Sequence, residues 1–499
     1  MQLHIDTRTP AEKTDPLWGK IICAGRAAEG LRADWQAQFR SMTQELHFDY
    51  IRFHGLFHDE MFVCRRDWDG KLSYNFMYID KLFDFLLSCG VRPIVELGFM
   101  PECLASGDKK IFWWQGNVTP PRDYAEWGEL VNETVRHFLN RYGLDEVKQW
   151  YFEVWNEASY HTFWGGTQED YFKLYAVSAR TIKAICPELQ VGGPATTQVI
   201  DGEAPWVKDT IAFCQKENLP LDFISFHPYP NENVNDSQGI MAYRDENSTR
   251  TDLQMARDIV DHSPFPKAKI LLTEWNSSYT SRDWVHDTAY MAPFIVQNYL
   301  KCRNLVDGLG YWTFTDVFEE GGIERQIFHG GFGALTIQGL KKPAYHGFWF
   351  LNQLGDACIA AGDRYYVTRK GEDSIQILLW NYAHYSEVFA SGDRSPITET
   401  NRYDGVFEEK EDLHFSIAVE GFASGCRVNT YYFDRTHGSI YDAWLEMGAA
   451  ERLSEAEMEI LRSKENLASS YSVCHDPQYT TEVTLPPHAV CLINLYKIY

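Results

Sequence analysis

From about residue 19 to residue 345, short apolar, β-branched or aromatic runs alternate with segments whose apolar residues recur at helical spacing, and this alternation constrains the fold most tightly. Ile21-Ile22-Cys23-Ala24-Gly25 is the first strand, and Leu31, Trp35, Phe39, Met42 and Leu46 follow on one helical stripe. Further strands are expected at 49–54, 92–98, 151–157, 189–193, 222–229, 269–274 and 308–314, the sixth leaving at Pro228, which cannot extend a ladder. Helices are expected over 79–88, over 124–142 with Gly143 as C-cap, and over 169–185, 206–216 and 285–303. Eight strand and helix pairs is the count of a (β/α)8 TIM barrel.

Beyond about Gly355 the texture changes to short strands separated by turns, at 364–368, 374–380, 414–419 and 490–495. One helix interrupts them, where Ser454 and Glu457 have the spacing of a capping box. The expected fold class is α/β: a TIM barrel over residues 15–345 with an accessory antiparallel β-sandwich over 346–499.

Two of the barrel strands end on carboxylates. Tyr151-Phe152-Glu153-Val154-Trp155-Asn156-Glu157 and Lys269-Ile270-Leu271-Leu272-Thr273-Glu274 are buried runs on the fourth and seventh strands, delivering Glu157 and Glu274 at the end where barrels keep their chemistry. Either glutamate alone could be a surface carboxylate. As a pair they suit glycosidic bond cleavage, one protonating the leaving oxygen and the other attacking the sugar carbon.

Around them, Asn156 is placed for the sugar 2-hydroxyl or for capping the strand end, and His227 and Tyr229 leave the sixth strand beside Glu274, where they could fix and polarise it. Arg52 and His54 leave the second strand on one face, and a buried Arg must find an acceptor. Trp312 could floor a pyranose site, with Glu319 and Glu320 accepting from its hydroxyls or forming an ordinary solvated charge run. The loop 101–121 carries Phe112, Trp113 and Trp114, and loops of this length without structure of their own are usually functional. His54 and His58 are four apart but lack a third ligand, so no metal is expected. Gly330-Gly331-Phe332-Gly333 fits neither phosphate-binding pattern, so no cofactor is expected.

Charge narrows the substrate. The 70 acidic against 46 basic residues give a net charge of −24, which repels nucleic acid and anionic lipid, disfavours polyanionic sugars and favours a neutral carbohydrate. Aromatic residues reach 15%, enough to supply sugar-stacking rings beyond a core's needs. Eleven cysteines without a C-x-x-C pair read as reduced thiols. With no visible signal peptide and no 18-residue apolar run, a cytoplasmic location is expected.

The chain resembles glycoside hydrolase family 39, in particular its bacterial β-xylosidases, over essentially its whole length. The resemblance is carried by Tyr50-Ile51-Arg52-Phe53-His54-Gly55-Leu56, Gly98-Phe99-Met100-Pro101, Gly116-Asn117-Val118-Thr119-Pro120-Pro121, Trp155-Asn156-Glu157, Val191-Gly192-Gly193-Pro194, Thr273-Glu274, residues 311–320 and Phe328-His329-Gly330-Gly331-Phe332-Gly333. It implies a retaining double displacement that releases xylose from the ends of xylo-oligosaccharides, with Glu157 as acid/base and Glu274 as nucleophile. It also implies a sugar subsite formed by Arg52, His54, Asn156, His227, Tyr229, Trp312, Glu319 and Glu320. An N-terminal strand near residues 3–6 would join the sandwich, residues 1–14 going with that unit, and a homo-oligomer such as a tetramer is implied. Ala158 replaces the family's usual proline, and Trp275 its usual tyrosine or phenylalanine. Residues 112–114 and 229–243 depart from the pattern on the leaving-group side. Related retaining glycosidases, namely β-glucosidases, arabinosidases and α-iduronidases, form the alternative, followed by a non-catalytic carbohydrate-binding protein.

Overall fold

The computed structural model describes residues 1–197, 205–230 and 244–499. Eight parallel strands close a barrel: β1 Ile21–Arg26, β2 Tyr50–His54, β3 Arg92–Leu97, β4 Tyr151–Val154, β5 Gln190–Thr196, β6 Phe223–Phe226, β7 Lys269–Trp275 and β8 Gly308–Tyr311. β8 closes the barrel by pairing with β1.

Because side chains alternate across a strand, each strand divides its residues between two cores. Ile22, Ile51, Val95, Phe152, Val191, Ile224, Leu272 and Leu309 pack outward against the helices. Ile21, Cys23, Ile94, Tyr151, Phe223 and Leu271 fill the barrel interior. β8 turns glycines inward, and a Cβ on Gly308 would meet Ile21 Cδ1 at 2.4 Å. The apolar plug occupies the lower barrel, so the polar inward residues collect at the carboxyl ends of the strands.

Each strand is followed by a helix: α1 Ala33–Glu45, α2 Met77–Ser88, α3 Tyr124–Tyr142, α4 Gln168–Ile185, α5 Trp206–Lys216, α6 Ser248–Asp261, α7 Met291–Cys302 and α8 Pro343–Asn352. The stripe on α1 buries Trp35, Phe39 and Met42. α3 begins where Asp123 accepts the Ala125 N–H and ends where Gly143, at φ 80°, gives its N–H to Leu139. α6 and α8 were not individually expected. The buried stripe of α6 includes Ser248, Thr249 and Asp252, so its apolar period is faint.

Two expectations are corrected. The single helix over 285–303 is a 3₁₀ turn, Trp284–Asp287, followed by α7. Pro293 has no N–H and can sit only in a helix's first turn, so α7 starts just before it. The loop 101–121 does carry structure, a hairpin of Lys110–Ile111 with Gly116–Asn117. Its tip places Phe112 and Gln115 at positive φ without the Asn-Gly or Asp-Gly signal of a tight hairpin.

The accessory unit is a β-sandwich. One sheet contains Ala357–Gly362, Tyr365–Lys370, Ser374–Trp380, Val490–Lys497, Cys426–Phe433 and Ala468–Cys474, edged by Glu12–Lys13; the other contains Gln2–Asp6, Leu413–Glu420 and Gln478–Leu485. Leu3, Ile5, Val367, Ile377, Phe415 and Ile417 contribute to the core between them. Gln2–Asp6 pairs in parallel with Leu413–Glu420, whereas Leu413–Glu420 pairs antiparallel with Gln478–Leu485. The helix Glu455–Ser463 opens on the Ser454 and Glu457 capping box. All eleven cysteines are free thiols. No helix among the described residues is long and apolar enough to cross a membrane.

The sandwich is docked on the barrel through α7, which is buried along nearly its whole length. Tyr290 and Tyr382 hydroxyls meet at 3.0 Å, and Trp380 Nε1 donates to Gln297 Oε1 at 3.2 Å. Deeper still, Arg402 of the accessory unit pairs with Asp287 at 2.7 Å, and Lys342 pairs with the same carboxylate at 2.6 Å. All three side chains are fully buried. Burial alone would raise the Asp287 carboxyl, but Lys342 and Arg402 hold it at about 2.

Arg402→Ala leaves part of that charge uncompensated and is expected to cost about 3 kcal/mol, read as a lower urea midpoint. Since the folded pKa of Asp287 lies below the unfolded value of about 3.9, the carboxylate contributes about 2.5 kcal/mol that is present above pH 4 and lost as pH falls towards 2. Urea midpoints taken across that window should fall for the parent protein, and less steeply for Asp287→Asn.

Candidate active site

Beyond β4 the backbone turns sharply, with Trp155 at φ 68° and Glu157 at φ 46°. Left-handed conformations on bulky residues are strained, and strain of this kind collects at functional sites. Contacts on either side hold it: Trp155 Nε1 donates to Phe163 O at 2.9 Å, and the Glu157 N–H donates to Ala195 O at 2.8 Å. On β7 the register shifts between Leu272 and Trp275. A bulge of this kind re-aims side chains, and here the consecutive Thr273 and Glu274 both face polar partners inside the barrel. One oxygen of Glu157, one oxygen of Glu274 and a ring nitrogen of His227 lie within 4.8 Å of one another.

Arg52 organises the floor. Its Nε donates to Glu153 at 2.9 Å and its Nη2 to Asn156 Oδ1 at 2.7 Å, Nη2 is ion-paired with Glu96 at 2.9 Å, and its Nη1 contacts Glu274. Burial opposes its charge, but Glu153, Glu96 and Glu274 together hold the guanidinium well above its ordinary pKa, so it remains a cation. Burial likewise penalises the Glu96 anion, and His54 and Arg52 reverse this to leave its carboxyl below the usual range. Glu96 therefore accepts from His54 Nδ1 at 2.7 Å, which turns Nε2 towards Glu274 Oε1 at 3.4 Å.

Tyr229 donates to the other oxygen of Glu274 at 3.1 Å. Burial, then the charges of Glu274 and Glu157, raise its phenol far above the usual value, so that proton stays available for donation. Asn156 accepts from Arg52, while its own amide nitrogen finds no partner among the described residues.

These groups open on a cavity of about 380 Å³ lined by His54, Glu157, Tyr229, Glu274, Trp312 and Glu320. Burial, reinforced by the charge of Glu274, raises the Glu320 carboxyl well above the usual range. Glu157, His227 and Glu274 form a donor set that could hold a metal ion by spacing. The Arg52 cation already sits on Glu274 and would oppose a second positive charge there.

The sequence profile of Glycosyl hydrolases family 39 matches residues 1–474. The chain belongs to glycosyl hydrolase family 39. A β-xylosidase of Geobacillus stearothermophilus is 39% identical over 98% of this chain and 94% of its own length. A β-xylosidase of Caldicellulosiruptor saccharolyticus is 36% identical over 99% and 98%. Among solved structures, a monomeric β-xylosidase from Caulobacter crescentus CB15 matches with a TM-score of 0.90 at 30% identity, covering 100% of both chains. As a family 39 member, the chain is a glycoside hydrolase.

Most of the expected residues converge on this cavity. Arg52, Asn156 and His227 are wholly buried and touch the two lining glutamates directly or through one another. Glu319 sits elsewhere: Arg26 and Arg32 hold its carboxylate at 3.0 and 2.7 Å, and it does not line the cavity as Glu320 does. Phe112 stacks behind His54 with ring centroids 6.3 Å apart, and Trp114 packs 5.2 Å from Phe112. Trp113 is half exposed, under the Arg26 guanidinium at 5.6 Å. None of the three lines the cavity. His58 accepts the Glu60 N–H and caps a 3₁₀ turn. Of the segment 229–243, residues 231–243 lie outside the described residues.

Sequence reasoning missed the rings of Tyr160, Phe163, Tyr279 and Phe332 in the wall. It also missed the supporting carboxylates Glu96 and Glu153. Their signal was available: an acidic residue inside an otherwise apolar strand run must face a partner.

Proposed function

We propose that the chain is a retaining, exo-acting β-xylosidase in which Glu274 is the nucleophile and Glu157 the acid/base. The observation that carries this reading is the 4.8 Å limit on the distance between oxygens of the two carboxylates. Retaining glycosidases hold their carboxyl groups about 5–5.5 Å apart, whereas inverting enzymes leave roughly 6.5–9.5 Å for a water molecule. In the first half-reaction Glu157 protonates the glycosidic oxygen while Glu274 attacks the anomeric carbon. In the second, Glu157 takes a proton from water, whose oxygen displaces Glu274 and returns the original configuration.

Xylose as the sugar released rests on the full-length similarity to the two β-xylosidases. The cavity of about 380 Å³, with Trp312 and Glu320 in its lining, suits a terminal sugar of a short xylo-oligosaccharide. Asn156 takes the 2-hydroxyl through its amide, which has no partner among the described residues, and Arg52 and Tyr229 hold Glu274 in orientation. Glu319 supports the subsite by fixing its loop, and residues 112–114 approach the leaving-group side. Residues 15–345 form the catalytic unit, with 346–499 and 1–14 as the accessory unit. Nucleic acid and membrane are not partners, and the chain acts in the cytoplasm as a homo-oligomer.

A panel of p-nitrophenyl glycosides, with the first-formed anomer followed by proton NMR, tests the reading. The β-xyloside should be preferred and β-xylose should appear first. Preference for a hexoside or uronide would overturn xylose, and α-xylose as first product would overturn retention.

A further inference from the structure

A line of buried side chains runs behind Glu157 that the double displacement itself does not employ. His227 is fully buried, with Nδ1 2.7 Å from Glu157 Oε1 and Nε2 2.9 Å from Thr273 Oγ1. The Thr273 hydroxyl donates to Glu153 Oε1 at 2.7 Å, and the other oxygen of Glu153 accepts from Arg52 at 2.9 Å. A hydroxyl has one proton to give. Thr273 spends its proton on Glu153, so it presents only lone pairs to His227, and Nε2 must carry the hydrogen.

Burial, followed by the nearby charges of Arg52 and His54, pushes His227 well below the ordinary imidazole range. The ring is therefore neutral, with a single N–H and a bare lone pair on Nδ1. A lone pair 2.7 Å from an ionised carboxylate is repulsive, whereas the same lone pair facing a carboxylic acid accepts a short hydrogen bond. Among the described residues, the charged and titratable groups gathered around the pair are Arg52 and His54 from β2, Glu153 from β4, Glu274 from β7 and Tyr229 beyond β6. Burial leaves the Glu153 carboxyl above its ordinary range, against the opposing pull of Arg52 and of the Thr273 and Ser225 hydroxyls.

We propose that Thr273 is a positioning residue: by fixing His227 as the Nε2–H tautomer, it makes Nδ1 an acceptor for the Glu157 proton and keeps that proton in place until the leaving group takes it. This rests on the reading of Glu157 as acid/base. Once the proton has passed to the glycosidic oxygen, the Glu157 carboxylate faces the same lone pair and is the more basic for it. In the second half-reaction it takes one proton from water, the hydroxyl oxygen bonds to the anomeric carbon and the bond to Glu274 breaks.

Thr273→Val keeps the shape and removes the hydroxyl, which frees His227 to turn an Nδ1–H towards Glu157 and stabilise its anion. The alkaline limb of the kcat/KM profile should move down by about one pH unit or more, with a larger loss on phenyl β-xyloside than on the dinitrophenyl glycoside. Thr273→Ser should restore the limb. An unmoved limb in the valine variant, or equal losses on both substrates, would overturn the proposal.

Should the valine variant fail to fold, nitrogen NMR of the histidine-labelled parent decides, with His227→Gln identifying the signals. An imine-type Nδ1 and a protonated Nε2 are required, and the reverse tautomer rules the idea out. If Glu157→Ala shows no dependence on the leaving group, the reading of the site fails as a whole. If that dependence is present and the limb is unmoved, only the role of Thr273 fails.

Discussion

Glu274→Ala will lower kcat by roughly 10⁴-fold or more on every glycoside, because the proposed mechanism makes this carboxylate the group that forms the covalent intermediate. The fold should survive. Arg52 loses one of its anions but keeps Glu153 at 2.9 Å and Glu96 at 2.9 Å, so its buried charge stays compensated. Near-parental melting would confirm that the loss is chemical. Truncation also leaves space beside the anomeric carbon that azide can enter as a substitute nucleophile. With a dinitrophenyl β-xyloside, azide should restore turnover and yield the α-xylosyl azide, the product of a single inversion. Absence of that adduct in a folded variant would count against a nucleophile at position 274.

Glu157→Ala should behave differently, and the difference is diagnostic. With Glu157 as the proposed acid, the variant should lose roughly 10²- to 10⁴-fold on xylobiose, whose leaving oxygen needs a proton, and far less in the first step on a dinitrophenyl glycoside. The covalent intermediate should then accumulate, since water has lost its base. Azide needs no base, so it should discharge the intermediate as the β-xylosyl azide, after two inversions. The two variants would thus give azides of opposite anomeric configuration from one substrate. A uniform loss across leaving groups would place the proton donor elsewhere.

The two glutamates were legible because each closes a strand run that is apolar for reasons of its own. Their separation was not. It depends on a bulge between Leu272 and Trp275 and on a turn held by Ala195, residues far apart in sequence. Glu319 and Glu320 make the same point at closer range. They are adjacent and alike, yet one is held by Arg26 and Arg32 and the other lines the cavity. No local signal separates them, because the arginines that decide the matter lie nearly three hundred residues upstream.

By itself the sequence determined what depends on local period and local hydrogen bonding. The eight strands, the buried stripes of α1 and α3, the Gly143 terminus and the Ser454 capping box each follow from a few neighbouring residues. Only the tertiary structure decided where charges meet. Arg52 brings Glu96, Glu153 and Glu274 onto one guanidinium, and Arg402 reaches from the sandwich to Asp287 beside α7. A buried ion must be compensated within a few ångströms, and which side chain compensates it is settled when distant segments are packed together.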